Sequence, residues 1–225
     1  MNELFRCQQT LEPASQAVDI PESRINWSAI DRWHTHPKFI QAVAHNITKA
    51  LASFPEEERA NVFILLSAHS QPMRAVNQGD AYSSEIAATV HAIMQHLRLR
   101  DPYRLCWQSK VGAQPWLGPP TIDVVQTYID QGDPQLLLVP IAFTTDHIET
   151  LYELDQELIK ESGHAATIKR AESLNDSPLF IEALAEIVKK HIDGGWKPSS
   201  QFVNRCLGCR KSECGSVREM FGGAR

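Results

Sequence analysis

Gln135-Leu136-Leu137-Leu138-Val139-Pro140-Ile141-Ala142-Phe143 runs directly into Thr144-Thr145-Asp146-His147-Ile148-Glu149. A nearly unbroken apolar run that ends in polar residues is the pattern of a strand buried on both faces, as in parallel sheets. A long acidic helix is expected from about Asp146. Outward from this junction the alternation recurs. Asn61–Leu66 reads as a short buried strand that stops at Ser67-Ala68-His69-Ser70-Gln71-Pro72. Arg104–Trp107 reads as another, and Thr167–Arg170 as a weaker one. Phe39, Val43, Ile47 and Leu51 make a helical stripe within Lys38–Phe54. Ile86, Val90, Ile93, Met94 and Leu97 make a second. A helix through Tyr128 follows a Gly/Pro-rich loop. Ser177-Pro178 opens a last helix with a capping residue and a proline at its first position, and Leu184, Ile187 and Val188 are expected on its core side. Strands each followed by a helix imply crossover connections. The expected fold is therefore α/β: a parallel sheet with helices on both faces, Rossmann-like. Residues 1–26 read as an irregular lead-in, 27–193 as the α/β domain, and 194–225 as a cysteine-rich tail.

Length and charge narrow the function. The chain has 225 residues, 43% hydrophobic and 22% charged, which is globular composition. A net charge of −5 argues against a general nucleic-acid surface. The mean hydropathy is −0.28 and the apolar runs are too short to span a bilayer. The first residues mix acids and bases without the profile of a secretory or transit peptide.

In open α/β sheets ligands sit beyond the carboxyl ends of the strands, so Ser67–Pro72 and Thr144–Glu149 are the candidate site segments. Glu149, Glu153 and Glu157 are spaced to stack three carboxylates on one helix face. That is either a solvated acidic face or a ladder for a hard cation. Asp146 and His147 stand at its start. His69 is either a structural hydrogen-bonding residue or a base or metal ligand near neutral pH. Trp107 suits core packing, whereas Trp116, in a Gly/Pro loop, can pack or wall an apolar pocket. His36 reads as a surface or capping residue and Glu186 as a solvated acid. In the tail, Cys206-x2-Cys209-x4-Cys214 is a thiolate set for zinc or an iron–sulfur cluster. Cys7 is the free candidate for a fourth ligand, and Cys106 reads as a core residue.

Ile64-Leu65-Leu66-Ser67-Ala68-His69-Ser70-Gln71-Pro72-Met73, Trp107-Gln108-Ser109-Lys110-Val111-Gly112, Val139–Asp155 and Arg170-Ala171-Glu172-Ser173-Leu174-Asn175 resemble ferrochelatase. The resemblance runs from about Trp27 to Ile192, and the tail is similar to the cluster-binding extension of the animal-type enzymes. It implies insertion of ferrous iron, as substrate, into protoporphyrin IX to give protohaem. It places His69 at the metal-insertion site with Glu149 opposite, and gives Asp146 and His147 a part in shaping that site. It implies that Glu153 and Glu157 form an acidic line, that His36 and Glu186 act in catalysis or metal transfer, and that Trp116 lines the porphyrin pocket. Cys206, Cys209 and Cys214 match three ligands of a 2Fe–2S cluster, and Cys7 falls near the place of the fourth. A homodimer on the matrix side of the mitochondrial inner membrane, with peripheral membrane contact, is implied as well. The resemblance covers the C-terminal half only. The isolated chain is expected to self-associate and to insert iron slowly or not at all. A truncated, non-catalytic iron–sulfur or zinc-binding remnant is the alternative.

Overall fold

The computed structural model describes residues 28–98, 102–132, 135–194 and Ser212. The lead-in, Cys7, Cys206, Cys209 and Cys214 lie outside the described residues. Strands β1 (Phe63–His69), β2 (Tyr103–Gln108), β3 (Leu136–Pro140) and β4 (Ile168–Arg170) form one sheet in the order β2-β1-β3-β4. All neighbours pair in parallel. The helices are α1 (Pro37–Leu51), α2 (Met73–Asn77), α3 (Tyr82–Leu97), α4 (Thr121–Asp130), α5 (Ile148–Leu151), a π-helix (Glu153–Lys160) and α6 (Pro178–Gly194).

The chain goes from β1 to β2 on one side, then crosses to β3 on the other. The two connections therefore leave on opposite faces of the sheet, as right-handed crossovers require. One face is packed by α1, α3 and α6 around Ile47, Ile64, Leu66, Ile93 and Phe180. The other is packed by α4 and the π-helix around Leu65, Leu136, Leu138, Leu154 and Leu158. Alternate residues of β1 and β3 divide between these clusters, which is why both strands read as continuous apolar runs. The reversal of strand order sits between β1 and β3, and at such a switch point the two departing connections leave a crevice.

The structure departs from expectation at four elements. The first strand begins two residues later than expected and continues through Ser67-Ala68-His69. Ser67 fits a central strand because its buried hydroxyl donates to Gln108 Oε1 at 2.7 Å and lies 2.7 Å from Thr121 Oγ1. The third strand ends at Pro140, not Phe143; Pro140 has no N–H to offer the β4 side, and one last bond to β1 runs from Ile141 N to Ser67 O at 2.9 Å. Leu184 and Val188 do not face the core. They are exposed on α6, where Phe180 and Ala183 are the buried residues.

The long acidic helix is likewise replaced by a single α-turn followed by π-helical turns. Glu157 N donates to Tyr152 O at 2.9 Å and Glu161 N to Gln156 O at 3.0 Å, each a five-residue step. The wider turn seats Leu154 and Leu158 in the core and leaves Asp155 against Arg170 of β4.

Candidate active site

His69 is the last residue of β1 and Gln108 the last of β2, and the two are register partners. The polypeptide leaving β3 brings Glu149 across the crevice, so that His69 Nε2 lies 3.3 Å from Glu149 Oε1. The side chains of both are about 70% buried, with relative exposures of 27% and 30%. His69 Nδ1 is 2.6 Å from the Ser70 carbonyl. A carbonyl only accepts, so Nδ1 carries the proton and Nε2 is the nitrogen turned to the carboxylate. A proton gained at Nε2 is placed to face the carboxylate. The Tyr82 hydroxyl donates to the His69 carbonyl at 3.0 Å. Burial, then the Glu149 and Asp80 carboxylates, push that hydroxyl well above the usual tyrosine range, so it remains a donor.

His147 has the opposite tautomer. It caps α5, its Nδ1 accepting from Glu149 N at 3.1 Å, while Thr150 Oγ1 accepts from His147 N at 3.0 Å. The Phe143 ring centroid is 6.5 Å from that of His69 and 4.9 Å from that of His147. Asp146 accepts from Asn175 Nδ2 at 2.9 Å and Arg170 at 2.9 Å. Burial alone would raise the Asp146 carboxyl, but the Asn175 amide and the Arg170 guanidinium outweigh it and hold the group below the usual carboxylate range. Glu153 is half-buried; its Oε2 accepts from Ser109 Oγ at 2.6 Å and Gln108 Nε2 at 3.2 Å, and Gln108 also donates to Glu149 O at 2.6 Å.

The Gly/Pro loop closes one side. Leu117 N bonds Gln71 O at 2.9 Å, Met73 N bonds Pro115 O at 2.9 Å, and Trp116 bridges Pro72. Trp116 is thereby set beside the His69 segment, half-buried, with its indole N–H buried and unpartnered. Trp107 and Cys106 are core residues, and burial pushes the Cys106 thiol up to about 11.

His69 and Glu149 thus meet at the β1/β3 crevice, Glu153 is held at the end of β2, Asp146 and His147 stand at the start of the segment that carries both acids, and Trp116 lies in the loop paired with Pro72. Glu157 is exposed further along the π-helix. His36 and Glu186 belong to the α1–α6 layer. Lys38, two residues after His36, lies 3.5 Å from Glu186, whose side chain is 51% exposed. His36 stands at the N-cap of α1 but makes no side-chain cap, and its Nδ1 is buried without a partner. Tyr82, Gln108, Ser109, Asp155, Arg170 and Asn175 had no role in the sequence reading. Gln108, Ser109, Asp155, Arg170 and Asn175 stand within the quoted motif stretches, and that was the available signal. Among the described residues, no group of three or more His, Cys, Asp or Glu side chains could hold a metal ion.

The profile of the Ferrochelatase family matches residues 5–192, a range that begins inside the lead-in. The mitochondrial ferrochelatase of Homo sapiens is 50% identical over 201 residues, covering 88% of this chain and 47% of the relative. That of Xenopus laevis is 48% identical over 204 residues, covering 89% and 49%. That of Schizosaccharomyces pombe is 42% identical over 202 residues, covering 89% and 48%. The chain spans about half the length of the curated relatives it matches, and it aligns to their C-terminal part. Among solved structures, SirB from Bacillus subtilis with Fe3+ is similar with a TM-score of 0.51 at 13% identity, covering 71% of this chain and 57% of that one. This last likeness bears on the fold alone.

Proposed function

Because the chain belongs to the ferrochelatase family, we propose that it carries the metal side of a site that inserts ferrous iron into protoporphyrin IX and forms protohaem. Iron displaces two pyrrole N–H protons, so porphyrin and Fe2+ give haem and two protons. His69 Nε2 takes one of them, and Glu149 at 3.3 Å stabilises the imidazolium that results. The second leaves along Glu153 toward the exposed Glu157, the same line by which a hydrated cation can approach. Asp146 and His147 hold the start of this segment, and Trp116 walls the ring. His36 and Glu186, on the outer helices, handle iron before it reaches the crevice. The single observation that carries this reading is the His69–Glu149 pair at the switch point, with Nε2 and Oε1 3.3 Å apart.

The surface beside it suits a flat apolar ring: Ile148 is 73% exposed, with Leu151 and Tyr152 half-exposed. That open side also favours a second reading, a metal-binding module without turnover in this chain alone. The test of the first reading is haem formation with the N-terminal half of a relative supplied. Glu149→Gln is expected to lower the rate by about a hundredfold with the fold intact. Equal rates would remove Glu149 from the chemistry.

For the tail, the reading is a 2Fe–2S cluster held by Cys206, Cys209 and Cys214, with Cys7 as fourth ligand. Three thiolates within nine residues support it. The relatives' printed names support a mitochondrial location, and the family resemblance adds the matrix side of the inner membrane and a homodimer to the proposal.

A further inference from the structure

We propose that Arg170 is a positioning residue for the acids of the crevice, acting as a clamp that ties Asp146 and Asp155 to strand β4. This rests on reading Glu149 and Glu153 as the acids of the metal side. Arg170 ends β4 with its side chain 10% exposed. Its Nε and Nη2 meet both oxygens of Asp155 at 2.7 and 2.8 Å, a two-pronged contact that fixes orientation as well as distance. Its Nη1 meets Asp146 Oδ1 at 2.9 Å and the Ala171 carbonyl at 3.2 Å. One guanidinium therefore grips two carboxylates nine residues apart, and Glu149 and Glu153 lie between them.

The far grip is reinforced. Asn175, in a left-handed conformation (φ +45°), receives Asp146 N at 2.8 Å and donates to Asp146 Oδ2 at 2.9 Å. Thr150 Oγ1 then bonds Asp146 Oδ1 at 3.1 Å and so links the clamp to the α5 cap beneath Glu149. Nothing in this set touches the His69–Glu149 pair directly. Arg170 acts through the segment: it holds the α-to-π transition in place between its ends. The two carboxylates in turn hold the guanidinium more firmly protonated than usual, against the cost of its burial.

Removing one partner of a buried ion pair can unfold a domain, so conservative variants carry the test. Arg170→Lys keeps the charge and loses the fork; Asp155→Asn alters only the more exposed end. Amide exchange is measured on the 225-residue chain. Both variants are expected to speed exchange of Leu151–Lys160 about tenfold while Phe63–His69 and Leu136–Leu138 change by less than about twofold. In haem formation with a relative's first half supplied, kcat is expected to fall about tenfold at a KM for porphyrin held within about threefold. Unchanged exchange in Leu151–Lys160, or an equal rise through the sheet, would overturn the clamp, as would a KM effect without a kcat effect. Should the wild-type protein form no haem, the iron-insertion reading fails, and the exchange result still decides the clamp.

Discussion

Single residues at the crevice are held by what they can and cannot donate. His69 Nδ1–H donates to the Ser70 carbonyl, whereas His147 Nδ1 accepts from the Glu149 N–H, so two neighbouring histidines present different faces. His69 was legible as a candidate because it follows an apolar strand on the ligand-binding edge, and Glu149 because it opens a row of acids spaced four apart after another strand. Gln108 and Arg170 were not, because their roles depend on strand register, and a lone amide or guanidinium carries no sign of what stands opposite. Asp146 gives a pH-dependent consequence. Its folded carboxyl sits below the ordinary value of 3.8, so below that value the unfolded chain binds more protons and the folded state loses stability as pH falls. Asp146→Asn should remove this part of the acid loss. Denaturant titrations at about pH 5 and about pH 3 are expected to show a smaller drop for the variant than for wild type. An equal drop would mean that Asp146 is not held low.

At the scale of elements, the strands were readable because a parallel sheet covered on both faces asks for continuous apolar runs. Their ends were less so. Polar Ser67 and His69 looked like a loop, yet partners on β2 and α4 satisfy Ser67 inside the sheet. The stretch after Asp146 was read as one α-helix because acids every four residues fit that period. The interactions that widen it, Leu154 and Leu158 in the core and Asp155 on Arg170, come from other elements. On α6 the apolar residues occupy more than one face, so periodicity alone misassigned Leu184 and Val188.

At the scale of the molecule, alternation of strand and helix was enough to call for a parallel α/β sheet, but the order β2-β1-β3-β4 was not deducible from it. That order matters, because it places the switch point where His69 and Glu149 meet. The tail adds a consequence of its own. If its cysteines hold a 2Fe–2S centre, the anaerobically purified chain should be reddish-brown, with visible absorption bleached by dithionite, and Cys7→Ser should remove the colour. Stoichiometric zinc without acid-labile sulfide would replace the cluster with a zinc site.

In the proposed iron insertion His69 takes a pyrrole proton while Glu149 holds the resulting charge. The direct measurement is the rate of haem formation from ferrous iron and protoporphyrin IX by His69→Ala, with a relative's first half supplied and with imidazole added. The folded variant is expected to be slower by at least about a hundredfold, with part of the rate restored by imidazole. A folded His69→Ala protein that forms haem at close to the wild-type rate would contradict it.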